Sequence, residues 1–100
     1  MKHFLIKYHF KSGTREAWHQ QLHRFVAWLD SEPDLKGKIS YRCMAEREGT
    51  GYYHLATASD DQAIKALQSK EFFKRYTEAT KITAGGEVEV VALELVAGTA

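Results

Sequence analysis

One cysteine and one proline stand in a chain of 100 residues. The lone cysteine, Cys43, excludes an intrachain disulfide and any metal site built from several thiolates. It fits a reducing compartment. Charge of one sign is also missing. There are 14 basic and 13 acidic residues, for a net charge of +1, and the two signs are interleaved. That balance makes no basic face, so nucleic acid is not an expected partner. Long apolar runs are absent as well. Lys7 and His9 interrupt the apolar N-terminal stretch, and no segment reaches the roughly 20 apolar residues that cross a bilayer. No membrane partner is expected, and the expected location is cytoplasmic.

What the chain does have is patterned aromatics, 12% of residues within a 44% hydrophobic total. Its length suits a single domain, 1–100, with one small two-layer core. Phe4, Ile6, Tyr8 and Phe10 alternate with His3, Leu5, Lys7 and His9, which predicts a half-buried strand. Ser12-Gly13-Thr14 ends it, and Thr14 can cap a helix. From Arg15 to about Ser31, Trp18, Leu22, Phe25 and Leu29 share one helical stripe. Pro33 ends that helix by disfavouring helical backbone at the residue before it. Ile39 to about Glu46 and Tyr52 to Thr57 read as two strands joined by a hairpin, Glu48-Gly49-Thr50-Gly51. Alternation puts Tyr53 and His54 on opposite faces, and the hairpin register leaves open which one turns inward.

Ser59 opens the second helix in this reading. Ser59 and Gln62 have capping-box spacing, and Asp60 and Asp61 suit the positive helix end. After Ser69 the apolar phase shifts from Ile64 and Leu67 to Phe72, Tyr76 and Ala79, which predicts a kink or two helices in series. Ala84-Gly85-Gly86 closes the segment, and Glu87 to Val96 is the last strand. The order is that of an α+β, ferredoxin-like βαββαβ fold. It predicts a four-stranded antiparallel sheet, order 4-1-3-2, with helices on one face. The last strand is apolar on both sides: Val88, Val90 and Ala92 on one, Val91, Leu93 and Leu95 on the other. Such a strand calls for cover on both faces. A second copy of the chain on the helix-free face supplies it, so a homodimer is expected.

With these elements in place the chain resembles the dimeric α+β barrel superfamily, and within it the antibiotic biosynthesis monooxygenase-like proteins. The likeness rests on element order, on Ser59-Asp60-Asp61-Gln62-Ala63, and on the Ser-x-x-Phe step in Ser69-Lys70-Glu71-Phe72-Phe73-Lys74-Arg75-Tyr76. Two departures stand out. No tryptophan follows Leu55-Ala56-Thr57, and no histidine stands in Ala66-Leu67-Gln68. The resemblance implies a monooxygenase that needs no cofactor and acts on a small hydrophobic, aromatic or quinol-like molecule. Related branches imply two alternatives: a non-catalytic, dimeric ligand-binding or stress-responsive barrel, and a haem-binding member.

Chemistry of that kind needs an apolar pocket, a few polar groups and a base tuned near neutral pH. His54 and Tyr53 are the candidate catalytic residues, with one of the two facing the pocket. Trp18, Tyr8, Tyr41, Phe72 and Tyr76 are the candidate substrate-binding residues, with Phe25 beside them. The expected pocket lies between sheet and helices, walled by Trp18, Phe72 and Tyr76. His19 and His23 have the i, i+4 spacing of helical metal ligands, but no third ligand is spaced to join them, and no metal site is expected.

Overall fold

Alternating and helical patterns settle into β1 (Lys2–His9), α1 (Arg15–Ser31), β2 (Ile39–Ala45), β3 (Gly51–Ala58), α2 (Asp61–Gln68), α3 (Glu71–Thr83) and β4 (Val88–Leu93). The structure is a computed structural model and describes residues 1–99. The four strands form one antiparallel sheet in the order β2-β3-β1-β4. This is the expected ferredoxin-like order. Pairing sets Ile6 opposite His54 and Val90, Tyr8 opposite Tyr52 and Val88, and Cys43 opposite His54. Residues paired in register share a sheet face, so the inward residue of the Tyr53–His54 pair is His54.

The three helices cover that one face. Thr14 caps α1, its Oγ1 accepting from the Ala17 N–H at 3.2 Å. The α1 stripe buries Trp18, Leu22, Phe25 and Leu29 against Tyr8, Ile39 and Tyr52 of the sheet. Phe25 is fully buried, and removing such a ring from water contributes about 2–3 kcal/mol.

Helix α2 starts one residue later than the capping-box spacing suggests. The Ser59 N–H donates to the Lys38 carbonyl at 2.9 Å, which holds Ser59 in the sheet's path. Asp60 is therefore the cap, and its Oδ1 accepts from the Ala63 N–H at 2.8 Å. The helix stops at Gln68, Lys70 is extended, and α3 begins at Glu71. The Lys70 ammonium pins this break to the end of α1, at 3.2 Å from Glu32 and 2.9 Å from Asp34.

The last strand is shorter than its valine-rich sequence. β4 pairs with β1 only as far as His3 opposite Leu93, one residue short of the start of β1 at Lys2. Leu95 and Val96 continue exposed beyond the sheet. No helix among the described residues is long and apolar enough to cross a membrane.

Candidate functional site

Between the sheet and the α2–α3 pair lies a cavity of about 370 Å³. Its floor is Phe4, Ile6, Ile39, Ala56 and Ala58, and its roof is Ile64, Leu67, Phe73 and Thr80. The sequence makes this space in two ways. The large α1 side chains fill the volume over Tyr8 and Tyr52, while small alanines floor the part under α2 and α3. β4 forms the outer wall with Val88 and Val90, and Val90 on this edge strand is 62% exposed.

The polar end of the cavity is made by Tyr41 and Tyr76, the two tyrosines among its walls. Behind them runs a buried hydrogen-bond chain. Trp18 Nε1–H donates to Tyr8 Oη at 2.8 Å. Tyr8 Oη lies 2.9 Å from His54 Nε2. On the other side of the ring, His54 Nδ1 lies 2.8 Å from Tyr41 Oη and 3.1 Å from Tyr76 Oη. The two hydroxyls are 3.0 Å apart.

Counting hydrogens assigns the tautomer. Tyr8 Oη accepts from Trp18, and His54 Nε2 is the one acceptor within reach of its own hydrogen among the described residues, so the assignment that satisfies every group puts the ring's hydrogen on Nδ1. That Nδ1–H donates to the tyrosine pair. One of the pair donates to the other. A single hydroxyl hydrogen of Tyr41 and Tyr76 is then left for whatever occupies the cavity.

Protonation states follow from burial. His54 is 0% exposed, and desolvation lowers its pKa to about 4. The ring is neutral at pH 7. Burial also raises the pKa of Tyr8, Tyr41 and Tyr76 well above the ordinary phenol value, and the Tyr41 hydroxyl raises Tyr76 further. Beside Tyr76, burial pushes the Cys43 thiol up to about 11, so it stays protonated. At neutral pH this end of the cavity is a hydrogen-bond donor in an apolar chamber.

The residues named from sequence separate into three groups. Tyr41 and Tyr76 line the cavity. His54, Tyr8 and Trp18 stand behind them in the hydrogen-bond chain. Tyr53 and Phe72 lie elsewhere. Tyr53 is on the helix-free face, its hydroxyl donating to Glu46 Oε2 at 2.8 Å. Phe72 stacks on Trp28 with ring centres 4.7 Å apart. The expected wall of Trp18, Phe72 and Tyr76 is replaced by a stack. Phe25 lies on Tyr76 at 3.7 Å and on Phe72 at 6.2 Å, and Trp18 lies on Tyr76 at 6.1 Å. The void opens toward α2 and β4 instead. Of its apolar lining, Ile6, Ile64 and Leu67 were visible in the periodicities, while Phe73 lies outside the Phe72, Tyr76 and Ala79 stripe; which stripe stays unfilled depends on how α1 packs. On α1, His19 Nε2 is 2.8 Å from Tyr52 Oη and His23 is exposed.

No protein-family model and no curated protein matches the sequence. Solved structures do match over nearly the whole chain. SnoaB, a cofactor-independent oxygenase from Streptomyces nogalater, is 15% identical, with a TM-score of 0.76 over 97% of this chain and 94% of that one. An antibiotic biosynthesis monooxygenase is 15% identical, with a TM-score of 0.76 over 97% of this chain and 100% of that one. A Pseudomonas aeruginosa protein, PA3566, is 20% identical, with a TM-score of 0.74 over 96% of this chain and 94% of that one. The chain has the ferredoxin-like α+β fold of the antibiotic biosynthesis monooxygenase-like proteins.

Proposed function

We propose that this protein is a monooxygenase of the antibiotic biosynthesis type, working without a cofactor on a small aromatic or quinol-like substrate. The observation that carries the reading is the hydrogen-bonded hydroxyl pair of Tyr41 and Tyr76 at the end of an apolar cavity of about 370 Å³. The cavity fits a flat ring system and offers it a mainly apolar lining. The spare hydroxyl donates to the substrate oxygen and favours the substrate's anion, worth most in a dry site. The substrate's C–H proton passes to water at the open edge of the cavity. The anion gives one electron to O₂, and the radical pair combines to a peroxide anion. That peroxide takes a proton back from water and breaks its O–O bond, with loss of the second C–H hydrogen as H₂O. In the net reaction R₂CH₂ and O₂ give R₂C=O and H₂O. Trp18, Tyr8 and His54 are positioning residues that hold the tyrosine pair. The working unit in this reading is a homodimer closed on the helix-free face.

A second reading is favoured by one observation. His54 is buried, bonded on both ring nitrogens and neutral, with a pKa near 4, and among the described residues that line the cavity there is no histidine or carboxylate to act as a base. A dimeric module that binds an aromatic ligand without turning it over suits that chemistry. Haem suits it less: an axial imidazole is the usual requirement, and no histidine lines the cavity among the described residues.

Oxygen uptake with a panel of quinols and anthrone-type compounds, under ¹⁸O₂, separates the two. The monooxygenase reading expects catalysed uptake, one labelled oxygen in the product, and loss of both in the Tyr41→Phe, Tyr76→Phe double variant. Saturable binding with uptake no faster than the protein-free rate assigns the binding module.

A further inference from the structure

Besides the tyrosine pair and the neutral Thr57, Gln68, Thr77 and Thr80, the cavity has one charged lining residue, and its sign is informative. Among the described residues that line it, Lys81 on α3 is the one charged side chain, and no carboxylate stands among them. Lys81 is exposed and makes no ion pair with any described residue. The nearest acidic residues along the chain do not pair with it: Glu78, three positions before it on α3, is in no ion pair with it, and Glu87 pairs with Lys11 at 3.5 Å. Lys81 and Tyr76 stand five positions apart on one helix, so their backbones are separated by about 7.5 Å along the axis. The cavity therefore has a neutral donor inside, an apolar middle, and an unpaired cation at its rim.

We infer that the ligand of this cavity is a flat hydroxyaromatic or oxo-aromatic molecule carrying an acidic group, with its neutral oxygen on Tyr41 and Tyr76 and its carboxylate or comparable anion on Lys81. This rests on the cavity being the substrate site and adds the ligand's charge and its orientation. A neutral polycycle fills the apolar middle equally well but leaves the cation without a partner. A cationic ligand meets a like charge at the rim and finds no anion to offset it. Lys81 lines the cavity and is exposed, a position at which a lysine can lay its stem on apolar surface and keep its ammonium in water. Because the pair is exposed, its share of affinity is modest, about three- to fivefold, and it weakens with salt.

Binding by tryptophan fluorescence with three matched probes tests this. The probes are 6-hydroxy-2-naphthoate, which has both groups at opposite ends, 2-naphthol, which lacks the acid, and 2-naphthoate, which lacks the hydroxyl. The expected result is that hydroxynaphthoate binds the wild type about three- to fivefold more tightly than 2-naphthol. Lys81→Ala removes that preference without weakening 2-naphthol, Lys81→Arg keeps it, and Lys81→Glu reverses it. In the Tyr41→Phe, Tyr76→Phe double variant, hydroxynaphthoate falls to the affinity of 2-naphthoate. Equal binding of hydroxynaphthoate and 2-naphthol in the wild type, or a preference that survives Lys81→Ala, overturns the inference while leaving the cavity as the site. Binding of none of the three probes overturns the inference together with the reading of the cavity.

Discussion

At the scale of single residues, His54 is the position on which the interior turns. Its ring ties Tyr8 to Tyr41 and Tyr76, and it does so as a neutral group. The folded pKa, about 4, lies below the ordinary value of 6.5. The unfolded chain therefore binds the proton more tightly, and stability is lost as pH falls from 6.5 toward 4. Between pH 7 and pH 5 this removes about 2 kcal/mol. Urea unfolding at those two pH values is the check. A wild type that loses about that much, beside a His54→Gln variant that does not, is the expected outcome. A flat profile from pH 7 to 5 would contradict a buried neutral imidazole. The inward turn of His54 was not legible in the sequence, because alternation separates it from Tyr53 without saying which face is covered. The pairing of Ile6 with His54 decides it, and that pairing joins β1 to β3, two strands far apart in the sequence.

At the scale of elements, the cavity depends on the junction between β3, α2 and α3. Periodicity alone predicted the break after Ser69, since one straight helix cannot keep both Ile64–Leu67 and Phe72–Tyr76 on the sheet. The start of α2 was less legible. Ser59 and Gln62 have capping-box spacing, yet Ser59 is held by the Lys38 carbonyl, and the cap falls to Asp60. Asp60→Ala is expected to cost about 1 kcal/mol, and Ser59→Ala only a few tenths. Urea midpoints compared at constant pH measure both. A Ser59→Ala loss equal to that of Asp60→Ala would restore Ser59 as the cap. The β4 terminus was read too far, to Val96, because valine-rich sequence marks strand preference and not the reach of the partner. β1 supplies pairing only up to Leu93.

At the scale of the whole molecule, the sheet has one covered face and one open face. Across the open face Leu5 pairs with Leu55 and with Val91, making an apolar row, while Lys7 and Glu89 form an exposed ion pair beside it. Leu55 and Leu93 are exposed large hydrophobics there. Packing of this row against a second copy predicts a particle of twice the 11.4 kDa chain mass in light scattering at micromolar concentration. Leu55→Asp should give the single-chain mass with the fold kept. A wild type of single-chain mass would leave the face unpaired and remove the homodimer from the account. The central claim concerns the other face: an aromatic ligand sits between the sheet and α2–α3, with its oxygen on Tyr41 and Tyr76. The direct test is an amide NMR titration of the ¹⁵N-labelled protein with 6-hydroxy-2-naphthoate. The account predicts saturable shifts centred on Ala56, Ile64, Leu67, Phe73, Tyr76 and Thr80. Shifts centred instead on Arg42, Tyr53, Leu55 and Val91 would place the ligand on the helix-free face and contradict it.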